Sequence, residues 1–266
     1  MEKKIRIGAM ISGGGTNLQA IIDACESGMI DGEMVFVGSD NPNAAGLGRA
    51  QRHGIPSFVV DYGAIIQEYK EPPERLNIPS DFDIDDIIKK QHLFKPDGKS
   101  KTVERFLTTR AVAEAQLLEK MAAHPVDLLV LAGFMRNLTP YFIDRFNTGP
   151  DRPRIMNIHP ALLPAFPGVD GYGDTYRYGC KVGGCTVHFI DYGEDSGPII
   201  GQRCFSIAEE DTLDTIKRKG LELEWQLYPE CIQLFAENRL QTIVLTHRLD
   251  NGQVVQRRVV KIVEQA

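Results

Sequence analysis

The sequence predicts an α/β fold built on an open, mostly parallel, twisted sheet with helices on both faces, in a Rossmann-like arrangement. Three observations support this prediction. Short apolar runs that suit strands alternate with helix-like stretches through residues 5–158. These runs are apolar almost throughout, as expected for strands that are covered on both faces. After residue 184, two strand-like runs are joined by one short turn, which predicts an antiparallel C-terminal part.

The first half of the chain supplies the parallel part of the sheet. Gly54 fits the left-handed position that often follows a helix, so it marks the end of the second helix. The predicted elements are, in order, a strand at 5–11, a helix at 18–25, a strand at 34–38, a helix from 43 or 44 to 53, a strand at 57–60, a helix at 110–123, and strands at 127–132 and 154–158.

The second half begins with the antiparallel pair and ends with a hairpin. Asp250-Asn251-Gly252 is a strong hairpin signal between two strand-like runs. The predicted elements are strands at 184–190 and 199–205, a helix at 213–238 that is continuous or broken at Pro229, and strands at 242–249 and 253–263.

The segment at residues 69–107 does not fit this alternation. It contains four prolines and many charges, and it offers few apolar residues for burial. It is also too long for an ordinary connection. We therefore expect an insertion, a lid or a surface appendage.

An acidic cluster inside this segment imitates the start of a calcium-binding EF-hand loop. The cluster lacks the glycine and the final glutamate that such a loop requires, because Asp86 and His92 stand at those positions. A helix with an acidic N-terminus, running to Lys89 and Lys90, is the better interpretation.

Composition narrows the class of protein. The 266-residue chain has a net charge of −6, which argues against a general nucleic-acid binder. No apolar run is long enough to span a membrane, and no N-terminal signal peptide is evident. The five cysteines are scattered, so they predict free thiols rather than a disulfide framework or a zinc site. We expect a cytoplasmic protein.

A glycine-rich loop, Ser12-Gly13-Gly14-Gly15-Thr16-Asn17, lies between the first strand and the first helix. Consecutive glycines let the backbone approach a ligand closely, and the N–H groups at a helix N-terminus attract phosphate. The loop lacks the third glycine of the dinucleotide fingerprint and the Lys-Ser/Thr pair of a Walker A loop. It predicts a phosphate site, and a plain tight turn is the alternative.

Two polar residues stand at the end of the apolar strand at 154–158. Asn157 and His159 are two residues apart, so they project to the same face of an extended segment. Pro160 cannot donate to a sheet ladder and ends the strand. Strand ends often line ligand crevices in open α/β sheets. The alternative is a buried pair that satisfies its own hydrogen bonds.

Three further polar residues occupy informative positions. Asp195 lies in a glycine-bracketed turn, where aspartate is common for local reasons. His188 lies on the preceding strand, and we interpret it as structural. Arg136 follows the most apolar strand and is predicted to face the ligand crevice.

Four stretches together resemble the phosphoribosylglycinamide formyltransferase family, folate-dependent enzymes of purine biosynthesis. They are ISGGGTNLQAII, DLLVLAGFMRNLTP, MNIHPALLPAFPG and GCTVHFIDYGEDSGPII. The resemblance runs from residue 4 to about residue 240, apart from the segment at 69–107. The Asn-x-His-Pro motif with a downstream aspartate is shared by enzymes that use 10-formyltetrahydrofolate. The glycine-rich loop points to the branch that acts on glycinamide ribonucleotide.

The resemblance implies roles for individual residues, a cosubstrate and no metal. The catalytic residues would be Asn157, His159 and Asp195. The nucleotide would be bound by Gly14, Gly15, Thr16, Asn17, Arg110 and Glu224, and the cosubstrate 10-formyltetrahydrofolate by Met135, Arg136, Leu138, Ile190, Asp191 and Tyr192. The implied layout is one domain over residues 1–240, with a nucleotide-binding half near 1–150, a folate-binding and catalytic half near 151–240, and a hairpin extension at 241–266.

These residue types suit formyl transfer. The substrate amine attacks the formyl carbon, an oxyanion forms, and the amine loses a proton. Asn157 can donate to the oxyanion, an effect worth roughly 3–4 kcal/mol per donor. His159 can stabilise the oxyanion as imidazolium or move protons. Asp195 can orient His159, or accept the amine proton through a water.

The chain departs from the family in three places. The loop at 168–173 lacks the histidine that is usual there. The segment at 69–107 is additional, and the C-terminal hairpin replaces a less regular tail; both could affect active-site access or the formation of a homodimer.

Three other functions compete with the leading one. A hydrolase of 10-formyltetrahydrofolate and a formyltransferase for another amine would use the same catalytic trio of Asn157, His159 and Asp195. Neither would require the glycine-rich phosphate loop. A non-catalytic nucleotide-binding protein would have no use for a proton-transfer group.

Overall fold

A seven-stranded sheet forms the centre of the molecule in the computed structural model, which describes residues 4–69, 76–94, 100–147, 149 and 152–264. The strand order is β3-β2-β1-β4-β5-β6-β7. The pairs from β3 to β5 are parallel, and β5–β6 and β6–β7 are antiparallel. The predicted fold class is confirmed. The strands are β1 Ile5–Ile11, β2 Gly32–Ser39, β3 Ser57–Val59, β4 Leu128–Leu131, β5 Ile155–His159, β6 Val182–Phe189 and β7 Ile199–Ser206.

Helices cover both faces of this sheet, because the strands carry apolar side chains on both sides. One apolar cluster joins the sheet to α1, α2 and α8, and a second cluster joins it to α3, α5 and α6. In β5, Met156 and Ile158 belong to the first cluster and Ile155 to the second, which is the alternation expected of a strand. The helices are α1 Thr16–Glu26, α2 Gly46–Arg52, α3 Tyr62–Glu68, α4 Ile84–Lys90, α5 Lys101–Ala122, α6 Pro140–Phe146, α7 Gly171–Arg177 and α8 Leu213–Ala236.

The change from parallel to antiparallel pairing positions the polar residues of β5. In the antiparallel register, Asn157 lies opposite His188 and His159 lies opposite Thr186. Directly opposed residues on one face of an antiparallel pair bring their side chains close together. The turn that follows β6 then brings Asp195 into contact with His159.

Helix α5 begins at Lys101 rather than at the predicted residue 110. Ser100 caps this helix, since its side chain accepts a hydrogen bond from the Val103 N–H at 3.3 Å. The expectation of little burial in the segment at 69–107 is wrong for its described part, because Ile87 and Leu107 lie in a third apolar cluster with Tyr141. Residues 70–75 and 95–99 lie outside the described residues.

Helix α4 lies where the acidic cluster predicted a helix. Asp83 is its N-cap and accepts hydrogen bonds from the N–H groups of Asp85 and Asp86. Lys90 in the last turn contacts Asp144 on α6 at 2.9 Å, so this part of the segment packs on the body of the protein.

Three short helices were not predicted, namely α3, α6 and α7. Each has seven residues, which is too few for a clear apolar period. Helix α8 is continuous, although Pro229 lies inside it.

The C-terminal hairpin forms as predicted and is a separate two-stranded sheet, β8 Leu240–Arg248 and β9 Val254–Ile262. Gly252 has a φ of 81° in its turn. Leu240 and Val260 pack against the first apolar cluster and attach the hairpin to the sheet. None of the described helices combines the length and the apolar character needed to cross a membrane.

Candidate active site

The predicted trio comes together beyond the end of β5. His159 Nδ1 lies 3.1 Å from Asp195 Oδ2. Asn157 Nδ2 lies 3.2 Å from His188 Nε2, which is itself 3.5 Å from Asp195 Oδ1. His188 therefore joins Asn157, His159 and Asp195 in one polar cluster at the open end of the sheet.

His188 orients the amide of Asn157. Its Nδ1 contacts the carbonyl oxygen of Phe189 at 2.9 Å, and only a protonated Nδ1 can donate there. Its Nε2 lies between the Asn157 amide nitrogen at 3.2 Å and Asp195 Oδ1 at 3.5 Å. Asn157 also lines the adjoining cavity, where its amide can donate an N–H to a substrate oxygen.

Burial and contacts act in opposite directions on the charges of this cluster. Burial lowers the pKa of His159, and the favourable effects of Asp195 and the Phe166 carbonyl on the imidazolium offset only part of that shift. Burial alone would raise the pKa of Asp195, but contacts with His188, His159 and the Gly168 N–H outweigh it and lower that pKa. Both ring nitrogens of His159 thus face acceptor oxygens, while burial favours the uncharged ring.

The backbone at residues 166–168 closes one side of the cluster. His159 Nε2 donates to the carbonyl oxygen of Phe166 at 2.8 Å. The N–H of Gly168 donates to Asp195 Oδ2 at 2.8 Å. Both members of the His159–Asp195 pair are therefore held by this one short stretch of chain.

The glycine-rich loop forms the predicted turn between β1 and α1. Gly15 has a φ of 69°, and a Cβ at this position would lie 2.9 Å from the Cα of Gly46. The loop is tied to α2, because Gly46 N–H donates to the Gly13 carbonyl at 2.9 Å and Arg49 Nε donates to the Gly14 carbonyl at 2.9 Å. No side chain caps α1, so its first N–H groups are available to an anion.

Two residues predicted for nucleotide binding contact each other at the start of this helix. Asn17 Nδ2 donates to Glu224 Oε2 at 2.6 Å. Tyr172, on α7, donates its hydroxyl to Glu224 Oε1, also at 2.6 Å. Burial raises the pKa of Glu224, and these two donors partly oppose the rise. Thr16 is exposed beside them.

One cavity of about 420 Å³ connects these two groups of residues. Its volume is in the range of small-molecule sites. Apolar residues from the ends of β4 and β5 line it beside the polar cluster, which suits a flat ring system held next to a reacting centre. The lining residues used below are Asn17, Leu131, Met135, Arg136, Leu138, Asn157, His159, Gly168, Tyr172, Ile190, Asp195 and Glu224.

The predicted folate residues fall into two groups. Met135, Arg136, Leu138 and Ile190 line the cavity with the trio. The other two, Asp191 and Tyr192, line a second cavity of about 610 Å³, which Ile190 also borders and which the C-terminal hairpin helps to form.

Arg136 is held in the first cavity by a buried carboxylate. Its Nε donates to Asp40 Oδ2 at 2.5 Å, and its guanidinium carbon lies 5.5 Å from the centre of the Tyr62 ring. Arg110 lies behind it and does not line the first cavity. The Arg110 guanidinium packs 5.0 Å from the Tyr62 ring centre, and burial lowers its pKa.

Sequence reasoning missed His188, Tyr172 and Asp40. The pairing of His188 with Asn157 depends on the register of β5 and β6, which no local pattern specifies. Tyr172 lies on the short helix α7, and Asp40 directly follows the last residue of β2. Among the described residues, no group of three or more His, Cys, Asp or Glu side chains is placed to hold a metal ion.

Comparison with known proteins gives consistent matches. The sequence profile described as formyl transferase matches residues 5–232. Phosphoribosylglycinamide formyltransferase of Bacillus subtilis (strain 168) is 33% identical over 222 residues, which cover 84% of this chain and 90% of that protein.

Solved structures extend these matches to the fold. Glycinamide ribonucleotide transformylase 1 from Symbiobacterium toebii is 36% identical, with a TM-score of 0.71, and the alignment covers 99% of this chain and 96% of that one. A formyltetrahydrofolate deformylase from Pseudomonas syringae pv. tomato shares the fold with a TM-score of 0.64, but at 21% identity and over 65% of its own chain.

Proposed function

The chain belongs to the formyl transferase family, and we propose that it transfers the formyl group of 10-formyltetrahydrofolate to the amine of glycinamide ribonucleotide in purine biosynthesis. The relatives that cover most of the chain carry this activity in their names. The resemblance noted in the sequence is thereby confirmed at the level of the family.

One observation carries the proposal. A single cavity joins Asn157, His159 and Asp195 to Asn17 and Glu224, the residues next to the glycine-rich loop. A reacting formyl group and a nucleotide can therefore lie in the same enclosed space.

Each residue of the trio has a different role in acyl transfer. Asn157 donates an amide N–H to the formyl oxygen as negative charge develops there. His159 is buried and its pKa is lowered, so its ring can accept a proton and return it. Asp195 remains ionised because its pKa is lowered, and it stabilises the imidazolium that His159 becomes.

The remaining residues bind and orient the two substrates. The N–H groups at the start of α1 hold the phosphate, with Gly14, Gly15 and Thr16 close to it. Glu224 accepts hydrogen bonds from ribose hydroxyls. The folate ring lies along the apolar part of the cavity, near Leu138 and Ile190. Arg110 reaches the nucleotide only after a side-chain rearrangement.

Hydrolysis of 10-formyltetrahydrofolate is the alternative that shares this fold. The deformylase resembles the chain only at the level of fold, whereas the transferase relatives exceed 30% identity. A hydrolase needs no phosphate-binding loop. The glycine-rich turn and its ties to α2 therefore favour the transferase.

The cellular setting completes the proposal. The protein works in the cytoplasm on small-molecule substrates and does not bind nucleic acid, which its net charge of −6 disfavours. The described part of the hairpin exposes apolar residues such as Val244 and Val254, and a homodimer is the assembly that we propose for it.

A direct activity assay tests the function. The protein is mixed with 10-formyltetrahydrofolate, and tetrahydrofolate release is followed with and without glycinamide ribonucleotide. We expect slow release without the nucleotide, and one formylated nucleotide per folate released when it is present. Fast nucleotide-independent release of formate would replace the transferase with a hydrolase. Stimulation by a different amine alone would keep the trio and discard the substrate.

A further inference from the structure

The carboxylate of Glu224 is held by donors from two other elements of the fold. Asn17 reaches it from the start of α1 and Tyr172 from α7, each at 2.6 Å. All three side chains are buried, and the Glu224 residue is 4% exposed. A carboxylate has about four acceptor positions, so two donors leave room for ligand hydroxyls and restrict where those hydroxyls can lie.

The position of the Tyr172 ring depends on a glycine of α8. Gly220 lies one helical turn before Glu224, and a Cβ there would lie 2.1 Å from Tyr172 Cζ and 2.3 Å from its hydroxyl oxygen. The ring therefore lies directly against the backbone of α8. A side chain at position 220 would force it out of this position.

The chain just before Tyr172 contacts the catalytic pair. Gly168 donates its N–H to Asp195, and Phe166 accepts a hydrogen bond from His159. The contact with His159 and the contact with Glu224 thus come from residues only six positions apart, Phe166 and Tyr172. The hydroxyl of Tyr172 anchors the far end of this stretch at the nucleotide end of the cavity.

We infer that Tyr172 is a positioning residue for the nucleotide. Its hydroxyl orients the Glu224 carboxylate toward the ribose and anchors the loop at 168–172 across the site. This inference rests on the proposed function, because it takes the ligand of Glu224 to be the ribose of glycinamide ribonucleotide. Tyr172 acts through Glu224 and takes no part in the bond-making step.

The test compares Tyr172→Phe with Tyr176→Phe on the same helix. Tyr176 is 44% exposed, so it serves as a matched control. A hydrogen bond to a charged group is worth enough to change binding by about tenfold or more. We expect Tyr172→Phe to raise KM for glycinamide ribonucleotide by about this factor, with KM for the folate and kcat within about twofold. The control should match the wild type.

A double-mutant cycle separates positioning from general stability. If Tyr172 acts through Glu224, Tyr172→Phe should add nothing to the nucleotide KM of a Glu224→Gln variant. Gly220→Ala keeps the hydroxyl but displaces the ring, so it should also raise that KM. Thermal melting of each variant checks that the fold is retained.

Three results would overturn the inference: an unchanged KM in Tyr172→Phe, an unchanged KM in Gly220→Ala, or full additivity with Glu224→Gln. A wild-type protein that does not formylate glycinamide ribonucleotide would overturn the proposed function instead, and this is visible before any variant is made.

Discussion

The Asn157 amide contacts His188 and also lines the cavity. An oxyanion needs a donor whose direction is set before the reaction, and the buried His188 supplies that constraint. The Asn157 amide is therefore oriented before the substrate binds.

We expect Asn157→Ala, His159→Ala and Asp195→Ala each to lower kcat by at least ~100-fold, because each removes a group that acts on the developing charge. Steady-state kinetics on the three variants measures this. The exposed His247 on the hairpin gives a matched control, and His247→Ala should retain wild-type turnover. Near-normal turnover in one of the three would remove that residue from the mechanism.

The protonation of His159 should depend on Asp195. Burial lowers the pKa of His159, so the charged ring is lost at a lower pH than for a free imidazole as the pH rises. Asp195 favours the charged ring, so Asp195→Asn should move this pKa still lower. NMR titration of the imidazole in both proteins measures the shift, with His159→Ala to assign the signal. An upward shift would show that Asp195 does not favour the charged ring.

Part of this cluster was predictable from single residues, and part was not. Alternation along a strand placed Asn157 and His159 on one face, and the structure confirms it. Asp195 came from a family resemblance, because a turn aspartate has no distinguishing local pattern. His188 becomes the partner of Asn157 only through the register of β5 and β6, which the sequence around His188 does not specify.

The turn between β1 and α1 depends on backbone geometry at one position. Gly15→Val would place a β-branched side chain at a φ of 69° and 2.9 Å from Gly46. The left-handed conformation costs such a residue about 1–2 kcal/mol. We expect the turn to shift and KM for glycinamide ribonucleotide to rise by about tenfold.

Gly28→Val separates strain from site geometry in this experiment. Gly28 has a φ of 77° and open space around its Cβ position, and it lies at the other end of α1. This variant should lose a similar amount of stability without changing the nucleotide KM. An unchanged KM in Gly15→Val would show that the loop is only a turn.

The third apolar cluster, which contains Ile87 of α4, buries part of the segment at 69–107, although the charges of that segment predict little burial. We expect Ile87→Ala to lower the free energy of unfolding by roughly 2–5 kcal/mol, as for other buried truncations. Ile78→Ala is the control, since Ile78 is 41% exposed, and its cost should stay within about 0.5 kcal/mol. Urea unfolding measures both. Equal effects would mean that α4 contributes nothing to global stability.

The ends of elements were harder to predict than their existence. Capping residues are present for two of the three missed helices, with Asp61 before α3 and Thr139-Pro140 at the start of α6. Pro96 and the charges around it argue against a helix so close to them, although Ser100 is a clear N-cap of α5. That 69–107 is an insertion relative to the family stays a prediction.

At the scale of the whole molecule, the parallel core was predictable because its strands are apolar on both faces. The order of those strands was not, since it depends on which helices cover which face. The second cavity also could not be foreseen. It exists only because the hairpin returns beside the loop that contains Asp191 and Tyr192.

The position of β1 in the sheet has a consequence for synthesis on the ribosome. Its second neighbour is β4, so Arg6 meets Asp127 only after 121 further residues have been made. Until then, β2 can pair with one edge of β1 while the backbone groups of its other edge have no partner. Open strand edges of this kind recruit other strands.

We therefore expect the N-terminal half of the chain to be prone to aggregation until β4 has been made. A fragment of residues 1–126 should aggregate when expressed alone, and adding β4 and β5 by extending it to residue 160 should increase its soluble yield. Sedimentation of the two fragments from the same host measures the difference. Equal solubility of the two fragments would show that the unpaired edge of β1 does not cause aggregation.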